Sequence, residues 1–268
     1  MGKIITICNF KGGTGKSTTT HCLAVGLGQR GYKVLIVDAD SQCNLSYISK
    51  VDIRNNFNTI YEMMKGEKEP HDVIVSTQYY DIISGSLATT KADREFQDDQ
   101  YRFNAYYLLK GQLDKVRGEY DFILIDTPPT LAIMTQNCLI ASDSLIVPTQ
   151  ADSLCISGLS NLKNQIDLIK SQTMNKTLYI EGLLLVKFQE RTTLNRILRD
   201  ELFEMAKKLE TKVYNYAVRE STGVRESQTM KSNVLIDNPK NISAMDYNLF
   251  IDEFLRDNGK EGVNNGNK

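Results

Sequence analysis

The feature that most constrains the fold is a glycine-rich loop that joins an apolar run to a segment of helical period. The β-branched run Lys3–Cys8 precedes the loop, and Lys11–Thr18 contains three glycines followed by Lys, Ser and Thr. We predict a helix over Lys16–Arg30 that ends at Gly31 in a left-handed stop. Glycines let successive backbone N–H groups wrap around an anion, and the positive end of the next helix points at the same place. The order of strand, loop and helix therefore predicts a phosphate-binding turn.

The remaining sequence alternates short apolar runs with longer segments of helical period, which is typical of βαβ units with a parallel sheet. The predicted strands are Lys3–Cys8, Lys33–Val37, Tyr80–Ser84, Phe122–Ile125, Ser144–Pro148 and Leu178–Val186. The predicted helices after the first are Tyr101–Arg117, Ser153–Ser171, Thr193–Leu209 and Asn241–Arg256. We therefore expect an α/β fold in which a mostly parallel, doubly wound sheet carries helices on both faces.

One domain over residues 1–257 accounts for this pattern, and residues 258–268 form a predicted flexible polar tail, because they contain too little apolar surface to offset the entropy of ordering. The segment Glu67–Asp99 is acidic and weakly periodic. It is interpreted as a solvated connection, with an insertion on the sheet edge and a partner surface as the alternatives.

Composition limits the classes of function. The formal charge is −1, so that binding to DNA requires a local basic patch. The five cysteines lack CxxC spacing, which favours reduced thiols in a cytosolic protein over a metal site. Basic residues that would open a signal peptide are absent, and no apolar run reaches the roughly 18 residues that span a bilayer, so we expect no membrane association.

Each position of the loop has an expected role. The backbone of Gly12, Gly13, Thr14 and Gly15 would cradle phosphates, and Lys16 would reach the β- and γ-oxygens. Ser17 would complete the coordination of Mg²⁺, which prefers hard oxygen ligands, and Thr18 would contact the α-phosphate. The sequence therefore predicts a site for a nucleoside triphosphate and Mg²⁺.

The loop departs from the usual GxxxxGK[S/T] pattern at its first glycine and carries Lys11 ahead of paired glycines. It resembles the deviant Walker A motif of the ParA/MinD superfamily of ATPases. The resemblance implies that Lys11 crosses a dimer interface to the phosphates of the partner's ATP. A cation supplied in trans stabilises the transferring phosphoryl group as an arginine finger does, whereas the alternative is an exposed structural lysine.

Two acidic motifs strengthen the resemblance. Asp38-Ala-Asp40-Ser-Gln-Cys-Asn follows a predicted strand and resembles the family's DxDxQxN motif, which implies that Asp40 polarises the attacking water and Asp38 supports the Mg²⁺ shell; Asp38 as a helix cap is the alternative. Asp126 ends the apolar run Phe122–Ile125 in the manner of a Walker B motif, which implies that it holds Mg²⁺ through water. The expected catalytic residues are thus Lys11, Lys16 and Asp40, and the expected metal residues are Ser17, Asp38 and Asp126.

The second half of the chain resembles the family less specifically. The segment after Gly182–Val186 is similar to the family segment that closes over adenine, and a later one resembles a strand that ends in Ile-Pro-Arg, with valine in place of proline. The residues expected near the base are Phe188, Arg191, Val218 and Arg219. Ala244-Met-Asp246-Tyr247 matches the family's closing A-x-D-Y helix.

By resemblance, the function is that of an ATPase that dimerises with ATP, binds DNA without sequence preference and drives plasmid or chromosome partition with a ParB-like centromere-binding partner, in a cytoplasmic, nucleoid-associated location. The expected DNA contacts are Arg196, Arg199, Lys207, Lys208, Arg219 and Lys231. A solvated helix with internal ion pairs is the alternative for this surface.

Four other functions remain open or disfavoured. A MinD-like membrane ATPase would need a basic amphipathic helix at the carboxyl end, and residues 258–268 do not have that pattern. A tyrosine autokinase would need tyrosines in the last residues, and a nitrogenase-like electron-transfer ATPase would need paired cysteines with other flanks. A regulatory ATPase switch that binds only proteins stays open.

Overall fold

The protein is described here from a computed structural model, which covers residues 1–52, 58–96, 101, 104–172, 174–189 and 193–260. Its sheet contains eight strands in the described ranges. They are β1 (Lys3–Ile7), β2 (Val34–Asp38), β3 (Ile74–Ser76), β4 (Asp81–Ile83), β5 (Phe122–Asp126), β6 (Ser144–Thr149), β7 (Tyr179–Phe188) and β8 (Val218–Arg219). The spatial order is β3-β4-β2-β5-β1-β6-β7-β8, and every pair is parallel except the antiparallel edge pair β3–β4.

The helices lie on both faces of this sheet. They are α1 (Lys16–Gln29), α2 (Asn44–Ile48), α3 (Ile60–Lys65), α4 (Pro70–Val73), α5 (Ala92–Glu95), α6 (Leu108–Val116), α7 (Ile133–Ala141), α8 (Ser153–Ser171), α9 (Thr193–Lys208), α10 (Thr222–Thr229), α11 (Val234–Asp237) and α12 (Ile242–Asp257). Helices α1, α11 and α12 share one buried apolar cluster with one face of the sheet. Helices α3, α6 and α7 cover the opposite face, and α8 and α9 extend that layer across β6 and β7.

The strand register brings the sequence motifs together. Ile7 and Asp38, the last residues of β1 and β2, both pair with Asp126 at the end of β5. Since parallel strands end at the same edge of a sheet, the glycine-rich loop and the two acidic motifs lie side by side there. The predicted α/β fold with a doubly wound, mostly parallel sheet is confirmed, and all six predicted strands are present with ends shifted by at most two residues.

The interpretation of Glu67–Asp99 as a solvated connection is wrong for its described part. This segment contains β3, β4 and two helices, and Val73, Ile83 and Phe96 are fully or almost fully buried. The Phe96 ring stacks on Tyr61 and meets Tyr101 edge-on, which anchors the segment to the sheet edge. The hydrophobic pattern of the sequence does not show these elements, because each is only three to five residues long.

Other differences are local. The helix predicted from Tyr101 begins at Leu108, and helix α7 was not predicted. The strand expected by resemblance before Arg219 is the two-residue strand β8. Asn258 and Lys260, assigned to the flexible tail, contact the domain through hydrogen bonds to Glu181 and Asp121. All five cysteines carry free thiols, and all five are buried. Among the described residues, no helix is both long and apolar enough to cross a bilayer.

Candidate active site

The glycine-rich loop connects β1 to α1 with two residues in the left-handed region. Gly13 has φ +75° and Gly15, the residue that precedes α1, has φ +80°, conformations that side chains other than glycine rarely adopt. A Cβ added at Gly12 or Gly13 would meet no atom within 4 Å, so the loop borders open space. This space, together with the amino terminus of α1, is the expected shape of a phosphate cradle.

Two lysines of the loop have different surroundings. Lys16 is buried, and its Nζ lies 3.4 Å from the carbonyl oxygen of Lys11. Lys11 is one-third exposed, and its Nζ donates a hydrogen bond of 2.9 Å to Oδ1 of Asp152. The same Asp152 oxygen accepts the N–H of Cys155 and caps α8. Lys11 is therefore held in an ion pair at the surface, whereas Lys16 is fixed inside the site.

Asp126 is the residue that most clearly indicates a cation site. Its side chain is completely buried, and neither carboxylate oxygen has a hydrogen-bond partner among the described residues. Burial raises the pKa of Asp126 well above its usual range, and Asp38 raises it further, while Ser17 and Lys16 oppose the rise. An orphaned buried carboxylate beside a serine hydroxyl fits a hard cation such as Mg²⁺, which takes oxygen ligands.

Asp38 is also buried, but its carboxylate is already bonded. Oδ2 accepts hydrogen bonds from the N–H and the hydroxyl of Ser46, at 2.8 and 2.7 Å, and the N–H of Asp40 lies 3.3 Å from Oδ1. Burial raises the pKa of Asp38 to about 6. The Ser46 hydroxyl also accepts the N–H of Gly85, so that Asp38 joins the β2–α2 loop to the segment after β4.

Asp40 lies at the edge of the central cavity and is 9% exposed. Its Oδ1 accepts the N–H of Gln42 at 2.9 Å, an Asx-type contact that shapes the turn. Cys43, two residues after Ser41, has φ +53°. This position suits glycine better than cysteine, so the backbone of the loop is strained there.

The cavity has a volume of about 780 Å³ and extends from the loop to the segment around β8. The residues that line it include Gly12, Gly13, Gly15, Lys16, Ser17, Thr18, Asp40, Val218 and Arg219. Phe188 points into the core beside α9 and does not line the cavity. Arg191 lies outside the described residues.

The closing helix shapes the far end of the cavity. Asp246 of α12 accepts hydrogen bonds from the backbone N–H and the guanidinium of Arg219, at 2.5 to 2.9 Å. The hydroxyl oxygen of Tyr247 lies 3.2 Å from that of Thr19, and the side-chain amide of Gln228 donates a hydrogen bond to the Thr18 hydroxyl. The A-x-D-Y sequence therefore fixes β8 and the start of α1 relative to each other.

The six residues predicted to bind DNA do not share one environment. Arg219 pairs with Asp246, Lys207 pairs with Glu204, and Lys231 lies 3.9 Å from the centre of the Tyr47 ring. Arg199 stacks over Phe203, and Lys208 is exposed on α9. The side chain of Arg196 lies outside the described part. The grouping of these residues on one surface stays a prediction.

Comparison with known proteins identifies the family of this chain. A family model described as an AAA domain matches residues 2–180. The sporulation initiation inhibitor protein Soj of Bacillus subtilis is 32% identical over 252 residues, which is 92% of this chain and 96% of Soj. The chromosome partitioning protein ParA of Myxococcus xanthus is 35% identical over 196 residues, 72% of this chain and 68% of that protein. This chain belongs to the ParA/Soj family of ATPases.

A solved structure agrees with the ParA/Soj assignment of the fold. The cobyrinic acid a,c-diamide synthase of Mycobacterium smegmatis, with bound ATP analogue and magnesium, has a TM-score of 0.82, is 26% identical and covers 96% of this chain and 95% of its own.

Four residues of the site make contacts that the sequence motifs did not predict: Ser46, Asp152, Lys187 and Gln228. The sequence marks Asp152 as a candidate helix cap, but its partner Lys11 lies 141 positions away along the chain, so the contact between them could not be predicted.

Replacing Asp126 with Asn is expected to stabilise the ligand-free protein, because a neutral amide is buried at a lower cost than a carboxylate. Each kcal/mol gained should raise the melting temperature by roughly 2–4 °C for a chain of this size. The raised pKa of Asp126 means that this group binds more protons in the folded state than in the unfolded state, so its contribution to wild-type stability falls as the pH rises above about 4. The difference between Asp126→Asn and wild type should therefore be larger at pH 8 than at pH 5.

Thermal unfolding in the presence of a chelator measures this difference at both pH values. Asp114→Asn is the control, because Asp114 is an exposed partner of Lys110. A difference that stays constant with pH would contradict the buried-charge account of Asp126.

Proposed function

We propose that this ParA/Soj-family protein hydrolyses ATP to ADP and phosphate with Mg²⁺, dimerises when ATP is bound, binds DNA without sequence preference and drives the partition of a plasmid or chromosome. A ParB-like centromere-binding protein is the proposed activator of hydrolysis, and the cytoplasm, in contact with the nucleoid, is the proposed location. The observation that carries the proposal is the unpartnered Asp126 carboxylate beside the glycine-rich loop. The similarity to Soj and to the partitioning protein ParA supports the cellular role.

The described residues suggest how the site would work. Bound ATP supplies the transferable γ-phosphoryl group, and Mg²⁺ offsets the negative charge of its oxygens. Ser17 and Asp126 would hold the ion, with Asp38 orienting the loop that surrounds it, and the buried Lys16 would bind the β- and γ-oxygens. Asp40 would orient the attacking water, a task that needs position more than a shifted pKa. Val218 and Arg219 would contact the base end of the nucleotide through their backbone.

Lys11 would act on the nucleotide of a second subunit. Its ammonium group is at the surface and one-third exposed, and Asp152 holds it in the isolated chain. An exposed ion pair of this kind stabilises the protein by less than about 1 kcal/mol, so the phosphates of a partner's ATP can compete for the lysine. If Lys11 leaves Asp152 and binds the triphosphate of the other subunit, dimerisation depends on bound ATP.

The proposed DNA surface combines residues of α9 with Arg219 and Lys231. Arg199 and Lys208 are exposed, whereas Arg219 and Lys231 have partners at the cavity, Asp246 and Tyr47. Contacts with phosphates release counterions, so the proposed binding should weaken steeply as salt rises.

Asp40→Ala is expected to form a stable dimer with ATP and Mg²⁺ and to stay monomeric with ADP, because without a residue to orient water the triphosphate persists between the subunits. Lys11→Ala should stay monomeric with either nucleotide. Gel filtration with light scattering gives the masses. The dimer should retain nonspecific DNA at low salt and lose about 10³-fold or more in affinity between 50 and 200 mM salt if several phosphates are contacted.

Two results would contradict parts of this proposal. A monomer in every nucleotide would exclude the dimer switch, and a dimer that ignores DNA at low salt would exclude the partition role and favour a switch that binds only proteins. A dimer that sediments with liposomes would favour a MinD-like role.

Asp152→Asn is expected to shift the equilibrium with ATP toward the dimer, because it removes the charge that holds Lys11 in the same chain. The amide oxygen of Asn can still accept the N–H of Cys155, so the cap of α8 is retained. Sedimentation velocity of Asp40→Ala with and without Asp152→Asn measures the change in dimer dissociation constant, which should fall several-fold. An unchanged or weaker dimer, with an unchanged melting temperature, would show that the ion pair does not restrain Lys11.

A further inference from the structure

Lys187, at the end of β7, reaches across the site to the glycine-rich loop. Its Nζ donates a hydrogen bond of 2.7 Å to the carbonyl oxygen of Gly13. Gln150, just after β6, donates to the same oxygen from its Nε2 at 3.1 Å. Two side chains from neighbouring strand ends therefore fix one carbonyl of the loop, and Lys187 also lines the cavity.

The backbone of Lys187 is strained. Its φ is +52°, and it is the extra residue of a bulge, because Val186 pairs with Val218 while Phe188 pairs with the next residue of β8. Bulge positions with positive φ suit glycine, and a lysine there costs free energy that its exposed side chain does not recover by burial. Backbone strain of this kind is concentrated at functional sites, and the contact that Lys187 makes in this conformation is with Gly13.

The contact determines the orientation of a peptide unit in the loop. The peptide group between Gly13 and Thr14 is planar and trans, so its N–H points opposite to its carbonyl. Fixing the carbonyl toward Lys187 and Gln150 turns the N–H of Thr14 away from them. The positive charge of Lys187 also strengthens the hydrogen bond, since charged donors bind carbonyls more strongly than neutral ones do.

We propose that Lys187, together with Gln150, is a positioning residue that holds the Gly13 carbonyl and thereby presets the loop for the β-phosphate of the nucleotide. The proposal rests on the proposed nucleotide-binding function. A loop whose peptide is preset loses less conformational freedom when the ligand binds, which improves affinity without a direct contact. The contact between Lys187 and Gly13 also connects the base end of the cavity, where β7 pairs with β8, to its phosphate end.

The test compares ADP with AMP, which lacks the β-phosphate, in calorimetric titrations with Mg²⁺. Lys187→Met should weaken ADP binding about tenfold, the effect of losing one hydrogen bond from a charged donor, and change AMP binding by less than about twofold. Lys187→Arg, which keeps a charged donor, should stay near wild type. Lys170→Met, at an exposed position in the last turn of α8, is the matched control and should match wild type.

Two further variants separate positioning from other roles. Gln150→Ala should weaken ADP binding by a smaller factor, and its effect should not add to that of Lys187→Met, because both act on one carbonyl. Lys187→Gly should raise the melting temperature of the ligand-free protein, since it relieves the strain, yet bind ADP as weakly as Lys187→Met.

Equal losses for ADP and AMP, or no effect of Gln150→Ala beside a loss in Lys187→Met, would overturn the positioning role. So would wild-type affinity for ADP in Lys187→Met. Wild-type protein that binds neither ADP nor ATP would instead refute the proposed function itself, so the two failures are distinguishable.

Discussion

The parallel register of β1, β5 and β2 is the constraint on which the rest of the site depends. It sets Ile7, Asp126 and Asp38 at one edge of the sheet, so that the loop after β1 faces two carboxylates that are far apart in the sequence. The central strands are buried on both faces, which leaves these polar ends as the place where the sheet meets solvent. A slip of one strand by one residue would turn Asp126 to the other face and dismantle the site.

The site contains several energetically unfavourable features. Asp126 is buried without a partner, Cys43 and Lys187 adopt left-handed backbone conformations, and Lys11 is held by Asp152 instead of a phosphate. Each feature lies at the carboxyl edge of the sheet, either in a loop or, for Asp126 and Lys187, in the last two residues of a strand. Because the sheet and the helices α1, α6, α7 and α12 pack around fully buried apolar residues, the fold can retain these features at modest cost.

The sequence predicted the fold class, six of the eight described strands and the phosphate loop, because hydrophobic period and the spacing of glycine and lysine are local signals. It did not predict β3, which has three residues, or the packing of the segment before Phe96, where each element is too short to show a period. The partners of the site residues could not be predicted either. Ser46 with Gly85, Lys11 with Asp152 and Lys187 with Gly13 are each separated by more than 35 positions, so only the folded sheet brings them together.

The central claim is that Lys11 serves the nucleotide of the partner subunit, and mixing two inactive variants tests it most directly. Lys11→Ala and Asp40→Ala are each expected to hydrolyse no ATP alone. In a mixed dimer, the site of the Lys11→Ala subunit retains its own Asp40 and receives Lys11 from the other subunit, so the mixture should recover ATP hydrolysis. If Lys11 acted within its own subunit, both sites of the mixed dimer would remain defective, and a mixture that contains mixed dimers yet is as inactive as its components would contradict the account.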